Sequence, residues 1–348
     1  MINTIETNRI PADLRTIQYS KDIPRCILEA TRTPEMRRLS DVGMSCGCEY
    51  TDFPIFRNIE KYSRLRHSMG VAMITWAHTQ DLAQTMAGLL HDIATPAFSH
   101  TIDFLNGDMM KQESTEAGIE EIVAGSNSLM KILKENGLNI HDVCDHHRYP
   151  LLDNEKPRLS ADRLEYTIGN IILYKVLPKH EAESLYTRIL AGRNEYGEEE
   201  LIFTDTASAE RFAEAALTCS AIYSSPEDRY AMMVLSEIIR TAMTLGVISR
   251  KDLYTDEKNV IRLLCGNTYC RREWERYRNM RKVILSESPF GTGRWWNVEV
   301  KKRYIDPYIA ETDRLTRLSR RFSIELGRFI AESHNVWICA EENGEVQG

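Results

Sequence analysis

The sequence predicts an all-α fold with at most a few short strands. Apolar side chains recur at helical spacing through most of the 348 residues, as expected when one face of each helix is buried. Two consecutive stripes show the pattern: Leu65, Met69, Met73 and Trp76, followed by Leu82, Met86, Leu89 and Leu90. Strand-like alternation is confined to residues 335–340, for which residues 18–20 are a candidate pairing partner.

The composition is that of a soluble chain with a large core. Apolar residues make up 43% of the sequence and charged residues 27%, enough for one elaborate domain or two smaller ones. The first residues lack the basic and apolar regions of an export signal, and no run of about 18 apolar residues predicts a membrane span. We therefore expect a cytoplasmic protein that does not enter a membrane.

The charge and the cysteines narrow the function classes. A net charge of −7 argues against strong nucleic-acid binding, because affinity for the phosphate backbone comes mainly from Lys and Arg. The eight cysteines are scattered, which predicts reduced thiols rather than disulfides or a zinc ribbon. The closely spaced Cys46 and Cys48 are more typical of small buried side chains than of a metal site.

The chain divides into three predicted sections. Residues 1–32 form an N-terminal segment, residues 33–285 a helical core, and residues 286–348 a C-terminal helical extension. The boundary rests on the linker-like residues 286–293, which contain two Ser, one Pro and two Gly. We expect the Arg-rich extension to pack on the core or on a partner subunit.

A His-Asp pair ends one of the predicted buried helices. His91 and Asp92 directly follow the apolar residues 86–90, and burying an imidazole with a carboxylate is costly unless a cation compensates. Upstream, His67 lies on the same helix face as Val71 and Ile74. A lone histidine in that position is usually a hydrogen-bonded core residue, but the nearby His-Asp pair favours a metal site.

A later helical segment, residues 158–170, provides Asp162 as the fourth candidate ligand. Leu164 and Ile168 form its apolar stripe. The adjacent face carries Asp162, Tyr166, Gly169 and Asn170. That face is suited to a pocket wall; the alternative is an exposed helix on which Asp162 pairs with Arg158 or Arg163.

Two other histidine motifs compete with this assignment. His141 and Asp142 repeat the dipeptide, but a turn-like stretch precedes them instead of an apolar helix, so they rank below His91 and Asp92. The adjacent His146 and His147 could line the rim of a pocket or lie on the surface, and we predict the surface.

Together, His67, His91-Asp92 and Asp162 resemble the H…HD…D signature of the HD-domain metal-dependent phosphohydrolases. The blocks at residues 33–39, 64–71 and 89–100 are similar to those of the dNTP triphosphohydrolases, the branch of bacterial dGTPases and the animal sterile-alpha-motif/HD dNTPase. The resemblance implies an HD-domain helical core, additional C-terminal helices and a homo-oligomer.

The resemblance also implies roles for individual residues. Four of them would bind the cation: His67, His91, Asp92 and Asp162. By the same correspondence Arg64 and Arg163 contact substrate phosphates and Tyr166 stacks on the sugar. Asn170 stands near the sugar 3′-hydroxyl, where the family has Asp.

This sequence departs from the family after the HD pair. Thr95 and Thr115 stand where the animal enzyme has two histidines. The bacterial dGTPase pattern is better matched by His100 and Asp103, which are three residues apart at the start of a helix for which Ser99 is the predicted N-cap. We predict that His100 protonates the leaving oxygen while Asp103 holds its tautomer.

These observations predict a metal-dependent phosphohydrolase with a small phosphorylated substrate. Mixed His/Asp ligation suits Mn²⁺, Fe²⁺, Zn²⁺ or Ni²⁺, with Mg²⁺ as an alternative, bound as one or two ions. The most specific prediction is hydrolysis of a dNTP to a deoxynucleoside and triphosphate. The alternatives are a nucleotide phosphomonoesterase or phosphodiesterase, and a nucleotide-binding regulator with weakened catalysis.

Overall fold

The computed structural model describes residues 2–107, 118–299 and 301–341, and it confirms the all-α prediction. Its helices are α1 Arg25–Ala30, α2 Pro34–Arg37, α3 Arg64–Thr79, α4 Leu82–Leu90, α5 Thr101–Asn106, α6 Ile119–Gly125, α7 Asn127–Glu135, α8 Ile140–Cys144, α9 Ala161–Leu173, α10 Lys179–Tyr186, α11 Thr206–Tyr223, α12 Pro226–Thr244, α13 Glu257–Gly266, α14 Thr268–Arg278, α15 Leu315–Leu318 and α16 Arg320–Ala331. Short 3₁₀ turns connect several of them. None of the described helices combines the length and the apolar character that a membrane span requires.

Seven short strands form three small antiparallel sheets within the described residues. They are β1 Thr4–Glu6, β2 Asp22–Pro24, β3 Ile189–Arg193, β4 Glu199–Phe203, β5 Val283–Ser286, β6 Trp296–Asn297 and β7 Trp337–Ala340. β1 pairs with β2, β3 with β4, and β7 lies between β5 and β6.

The strand predicted at residues 335–340 is confirmed as β7, but its predicted partner is wrong. β7 pairs with β5 and β6, whereas residues 18–20 lie in the connection between β1 and β2. There the Oγ of Ser20 donates to the carbonyl of Asp22. The weak alternation of so short a strand did not specify its partner, which the helices packed around it determine.

Helices α3 and α4 form an antiparallel pair that positions two of the predicted ligands. The Oγ of Ser63 caps α3 by accepting from the backbone N–H of Arg66, and α3 ends at Gln80, which has a left-handed φ of 53°. Asp81 then caps α4 at once. Because the connection is so short, the start of α3 lies beside the end of α4.

Helix α9 packs against α3 through two glycines. A Cβ on Gly70 would contact the carboxylate of Glu165, and a Cβ on Gly169 would contact the ring of Tyr62. Neither glycine has a left-handed φ, so close approach, and not backbone conformation, accounts for them.

Among the described residues, buried hydrophobic side chains form two clusters. The first surrounds α1, α3, α4, α9 and α11 and includes Phe322 and Leu326 of α16. The second surrounds α12 to α14 and includes Val283 of β5 and Ile338 of β7. The division of the chain at residue 286 remains a proposal, and the third sheet pairs strands from its two sides.

A buried arginine attaches the C-terminal residues to the β3–β4 hairpin. The Nη1 and Nη2 of Arg314 each lie 2.7 Å from an oxygen of Glu200, and the Nη1 also donates to the carbonyl of Asp306. This bidentate pair is the strong geometry for an arginine and a carboxylate. Lys301 and Arg303, which precede Asp306 in the chain, line the cavity described with the candidate site below.

Candidate metal and active site

The four predicted ligands converge where α3, α4 and α9 meet. The Nε2 of His67 lies 3.3 Å from the Nε2 of His91, 3.0 Å from Asp162 Oδ1 and 3.8 Å from Asp92 Oδ2. His91 Nε2 lies 3.6 Å from Asp162 Oδ1 and 3.7 Å from Asp92 Oδ2. The donor atoms of His67, His91 and Asp162 therefore all lie within 4.8 Å of one another, and Asp92 adds a second carboxylate next to the two imidazoles.

Hydrogen bonds on the far side of each ring fix the direction of the imidazoles. The Nδ1 of His67 lies 2.6 Å from the carboxylate of Glu165, and the Nδ1 of His91 lies 2.8 Å from the carbonyl of Gly88. With each Nδ1 bonded to an acceptor in this way, loss of the Nε2 proton would leave a lone pair directed at the cluster. Acceptors of this kind commonly orient the histidines of metal sites.

The charges of the cluster fit a cation. Burial opposes a charged His67, but hydrogen bonds to Asp162 and Glu165 outweigh burial and raise the pKa of His67 to about 10. Burial would raise the pKa of Asp162, yet its hydrogen bonds to His67 and His91 hold that pKa well below its usual range. The carboxylates therefore stabilise positive charge between them, and the mixed nitrogen and oxygen donors suit a divalent transition metal.

Arg64, predicted to contact phosphate, is buried and bound to the candidate ligand Asp92. Its Nη1 lies 2.9 Å from Asp92 Oδ2, and its Nε lies 3.1 Å from Ser99 Oγ. The hydroxyl of Thr95 also donates to Asp92, at 2.8 Å. Burial would raise the pKa of Asp92, but the charges of Arg64, His91 and His67 together outweigh burial and lower it.

The predicted N-cap role of Ser99 is wrong. His100 is the N-cap residue of α5 and makes no side-chain cap bond, while the Oγ of Ser99 donates to the carbonyl of Gly43 and accepts from Arg64. Ser99 has a φ of 48°, which is incompatible with the extended backbone of a usual cap. The long-range bonds of this loop explain the difference.

His100 and Asp103 pair as the sequence predicts. The Nδ1 of His100 lies 2.9 Å from Asp103 Oδ2, and Asp103 is fully buried. Burial lowers the pKa of His100, although the bond to Asp103 opposes the change. A neutral His100 that donates through Nδ1 keeps Nε2 free to accept a proton.

A cavity of about 1360 Å³ brings these groups together. It is lined by nine of the ten predicted site residues: Arg64, His67, His91, Asp92, His100, Asp162, Arg163, Tyr166 and Asn170. The tenth, Asp103, lies behind His100. Thr115 lies outside the described residues.

The three predicted substrate contacts on α9 differ in their surroundings. The Nη1 of Arg163 donates to Asn154 Oδ1 at 2.7 Å and to the carbonyl of Arg158, so local polar groups hold the guanidinium. Tyr166 is half-buried, and Asn170 is buried. All three face the cavity on successive turns of one helix.

The two other histidine motifs lie in different places. His141 and Asp142 are on the surface, where Asp142 pairs with Arg148 at 2.7 Å. The prediction of a surface position is wrong for His146, which is buried with its ring centroid 6.0 Å from that of His91. His147 is exposed and lies 2.9 Å from Asp153.

Sequence reasoning missed several residues of the site. Glu165, which bonds His67, is three residues after Asp162 and therefore on the same side of α9, a spacing that could have identified it. The cavity is also lined by Asp228 at the start of α12 and by Lys301 and Arg303. Nothing in the local sequence associates those three with α3 or α9.

Comparison with known proteins agrees with this geometry. Residues 64–191 match the family model for the HD domain. The uncharacterized protein YdhJ of Bacillus subtilis is 25% identical over 205 residues, which cover 58% of this chain and 61% of that protein. The metal-dependent phosphohydrolase cns2 of the fungus Cordyceps militaris is 23% identical over 205 residues, 58% of this chain and 54% of that protein.

A solved structure shares the fold over nearly the whole length. The crystal structure of a hypothetical protein from Aquifex aeolicus matches with a TM-score of 0.64 at 16% identity and covers 98% of this chain and 96% of its own. The chain matches only somewhat more than half of the length of each of the two curated relatives. Residues 64–191, the part of the chain that is similar to the HD domain, include all four candidate ligands.

Proposed function

We propose that this protein is a metal-dependent phosphohydrolase that acts on a nucleotide, with a dNTP, cleaved to a deoxynucleoside and inorganic triphosphate, as the specific candidate. The observation that carries the proposal is the convergence of two imidazoles and two carboxylates at a cavity wide enough for a nucleotide. His67, His91, Asp92 and Asp162 would hold the ion. A divalent cation bound there supplies Lewis-acid polarisation of a phosphoryl oxygen and a lowered pKa of water.

His100 is suited to move a proton during the reaction. Its Nδ1 is held by Asp103, and burial favours its neutral form. Nε2 would accept a proton from the attacking water, and the same proton would then be available to the leaving oxygen. Asp103 keeps the imidazole in the required tautomer and stabilises the imidazolium that forms.

Basic side chains of the cavity would hold the phosphates. Besides Arg64, which is bound to Asp92, seven of them line it: Lys156, Arg158, Arg163, Arg193, Lys301, Lys302 and Arg303. Their charge would stabilise the phosphoryl oxygens, on which negative charge is spread in the transition state. Tyr166, which also lines the cavity, would contact the sugar.

The second candidate is hydrolysis of a nucleotide phosphomonoester or phosphodiester. It is favoured by Thr95, which stands at a proton-transfer position of the animal dNTPase and here only supports Asp92. The third is a nucleotide-binding regulator that keeps the cation and has little turnover.

A combined metal and product measurement separates these functions. We expect purified protein to carry stoichiometric transition metal by elemental analysis and, with added Mn²⁺, to release inorganic triphosphate from dNTPs, identified by ³¹P NMR. Release of monophosphate from mononucleotides would support the second candidate instead. Nucleotide binding without any product would support the regulator. The His91→Ala variant is the matched control, because it should lose both metal and turnover; metal that stays bound in it would contradict the ligand assignment.

A further inference from the structure

The cavity has a wall on which a carboxyl group faces the substrate space. Asp228 lies in the first turn of α12 and lines the cavity, as do Ser45, Cys46, Tyr174 and Met232, and its charge acts on Cys46 and Tyr174. These neighbours carry no formal charge. The metal ligands and most of the basic side chains come from other elements, so the cavity offers two chemically different regions to one ligand.

The position of Asp228 is fixed from both sides of the helix start. The Oγ of Ser225 accepts from the backbone N–H of Asp228, and the Nη1 of Arg229 donates to the carbonyls of Val298 and His334. The thiol of Cys48, which is fully buried, lies 3.7 Å from Asp228 Oδ1. A weak thiol donor is a poor partner for a carboxyl group, so most of its hydrogen-bonding capacity is available to a ligand.

We propose that Asp228 is a specificity-determining residue that hydrogen-bonds the nucleoside part of the substrate. This inference rests on the proposed function, because it assumes a nucleotide with its phosphates at the basic side chains. An ionised carboxylate would repel phosphate, and a carboxyl group in either state pairs with amino, imino and hydroxyl groups. Those groups belong to the base and sugar.

The protonation state of Asp228 determines which hydrogen bonds its side chain can form with a ligand. Burial dominates and raises the pKa of Asp228 to about 8, although Cys48, Arg303 and Arg229 act in the opposite direction. Other ionisable groups surround it: Glu227 on the same helix, Tyr174 after α9 and Tyr277 on α14. At neutral pH the side chain is mainly a carboxylic acid, with one donor and one acceptor.

An amide, like a carboxylic acid, offers both a hydrogen-bond donor and an acceptor, and this similarity gives the test. Asp228→Asn keeps one donor and one acceptor in the same volume, whereas Asp228→Ala removes both. The control is Glu227→Ala, the neighbouring acid on α12, which does not line the cavity. The two probes are the best nucleotide of the substrate panel and inorganic tripolyphosphate, which has the phosphates without the nucleoside.

We expect Asp228→Ala to raise the KM and Kd for the nucleotide about tenfold, the size of one lost hydrogen bond to a buried group. The inhibition constant of tripolyphosphate should not change. Asp228→Asn and Glu227→Ala should bind the nucleotide within about threefold of the wild-type protein, in line with the retained bonds. The differences in affinity between nucleotides with different bases should become smaller only in the alanine variant.

Two outcomes would overturn the inference: wild-type nucleotide affinity in Asp228→Ala, or an equal loss of tripolyphosphate affinity. If the alanine variant does not fold, Asp228→Leu keeps the volume without the polar atoms and carries the same comparison. Calorimetric binding of the nucleotide does not depend on turnover. A failure of hydrolysis in the wild-type protein would therefore count against the proposed function and leave the role of Asp228 to be decided by the binding data.

Discussion

At the residue scale, Glu165 connects the candidate ligand His67 to distant parts of the chain through hydrogen bonds. Its carboxylate accepts from the hydroxyls of Thr16, at 2.7 Å, and of Tyr62, and from the Nδ1 of His67, at 2.6 Å. The side chain is fully buried. A buried carboxylate is tolerated only with such donors, and here they make it a rigid support for His67.

Glu165→Gln tests this support. The amide keeps the volume but loses the negative charge that orients His67, so metal affinity should fall about 10- to 100-fold. The measurement is a chelator competition titration monitored by elemental analysis. Glu60→Gln, at an exposed position, is the control and should bind metal as the wild-type protein does. Equal affinities in the two variants would remove Glu165 from the metal site.

A second substitution separates proton transfer from metal binding. His100→Ala should lower kcat about 100-fold, the usual effect of a lost general acid or base, while metal content stays unchanged. His180→Ala, an exposed histidine, should leave kcat unaltered. Full turnover in the His100 variant would exclude it from the mechanism.

At the element scale, the contact of α3 with α9 sets the distance between His67 and Asp162. Gly70 and Gly169 make this contact possible, since each faces a side chain of the Glu165 network. A helical glycine normally costs stability. Here that cost is offset by the approach of two helices that carry candidate ligands.

Gly169→Ala should therefore destabilise the protein. The new methyl group would overlap the ring of Tyr62, and overpacking of this kind costs about 1–3 kcal/mol in the free energy of unfolding. Gly327→Ala on α16 is the matched control: a Cβ there meets nothing within 4 Å, so it should gain about 0.5–1 kcal/mol. Urea unfolding measures both changes. An unchanged free energy of unfolding in Gly169→Ala would show that the contact between Gly169 and Tyr62 has room for a methyl group.

The sequence predicted these helices well because their apolar spacing is a local signal. Three of the candidate ligands were predicted from the same kind of local signal. His91 and Asp92 end an apolar helix, and His67 lies on the apolar face of the preceding helix. Interactions between distant segments were not readable in this way. The pairing of β7 with β5, the loop bonds of Ser99 and the burial of His146 each depend on residues far away in the chain.

At the scale of the whole molecule, a buried acid pair joins the segment before α3 to the C-terminal helices. Glu257 of α13 accepts from the backbone N–H of Gly43 at 2.7 Å and from the hydroxyl of Tyr50 at 2.7 Å. Glu49 lies beside it. Burial and the charge of Glu257 raise the pKa of Glu49 from its ordinary 4.5 to about 8.

This pair should make stability depend on pH. Between pH 4.5 and 8 the folded state keeps a proton on Glu49 that the unfolded chain releases, so the free energy of unfolding falls as pH rises through that window. Glu49→Gln removes the titrating group, and its melting temperature should fall less than that of the wild-type protein over the same range. Glu60→Gln should follow the wild-type curve. Parallel curves for the wild-type protein and Glu49→Gln would contradict a raised pKa.

The sequence by itself determined the helical class and the four candidate ligands, because helical spacing and a His-Asp pair at a helix end are properties of neighbouring residues. Only the tertiary structure decided what surrounds them. Thr16 and Glu165 are 149 residues apart in the chain, yet the hydroxyl of Thr16 donates to the same carboxylate that bonds His67. Asp228 reaches the same cavity from α12. Such contacts arise from the packing of distant helices, and no local pattern encodes which side chains will meet there.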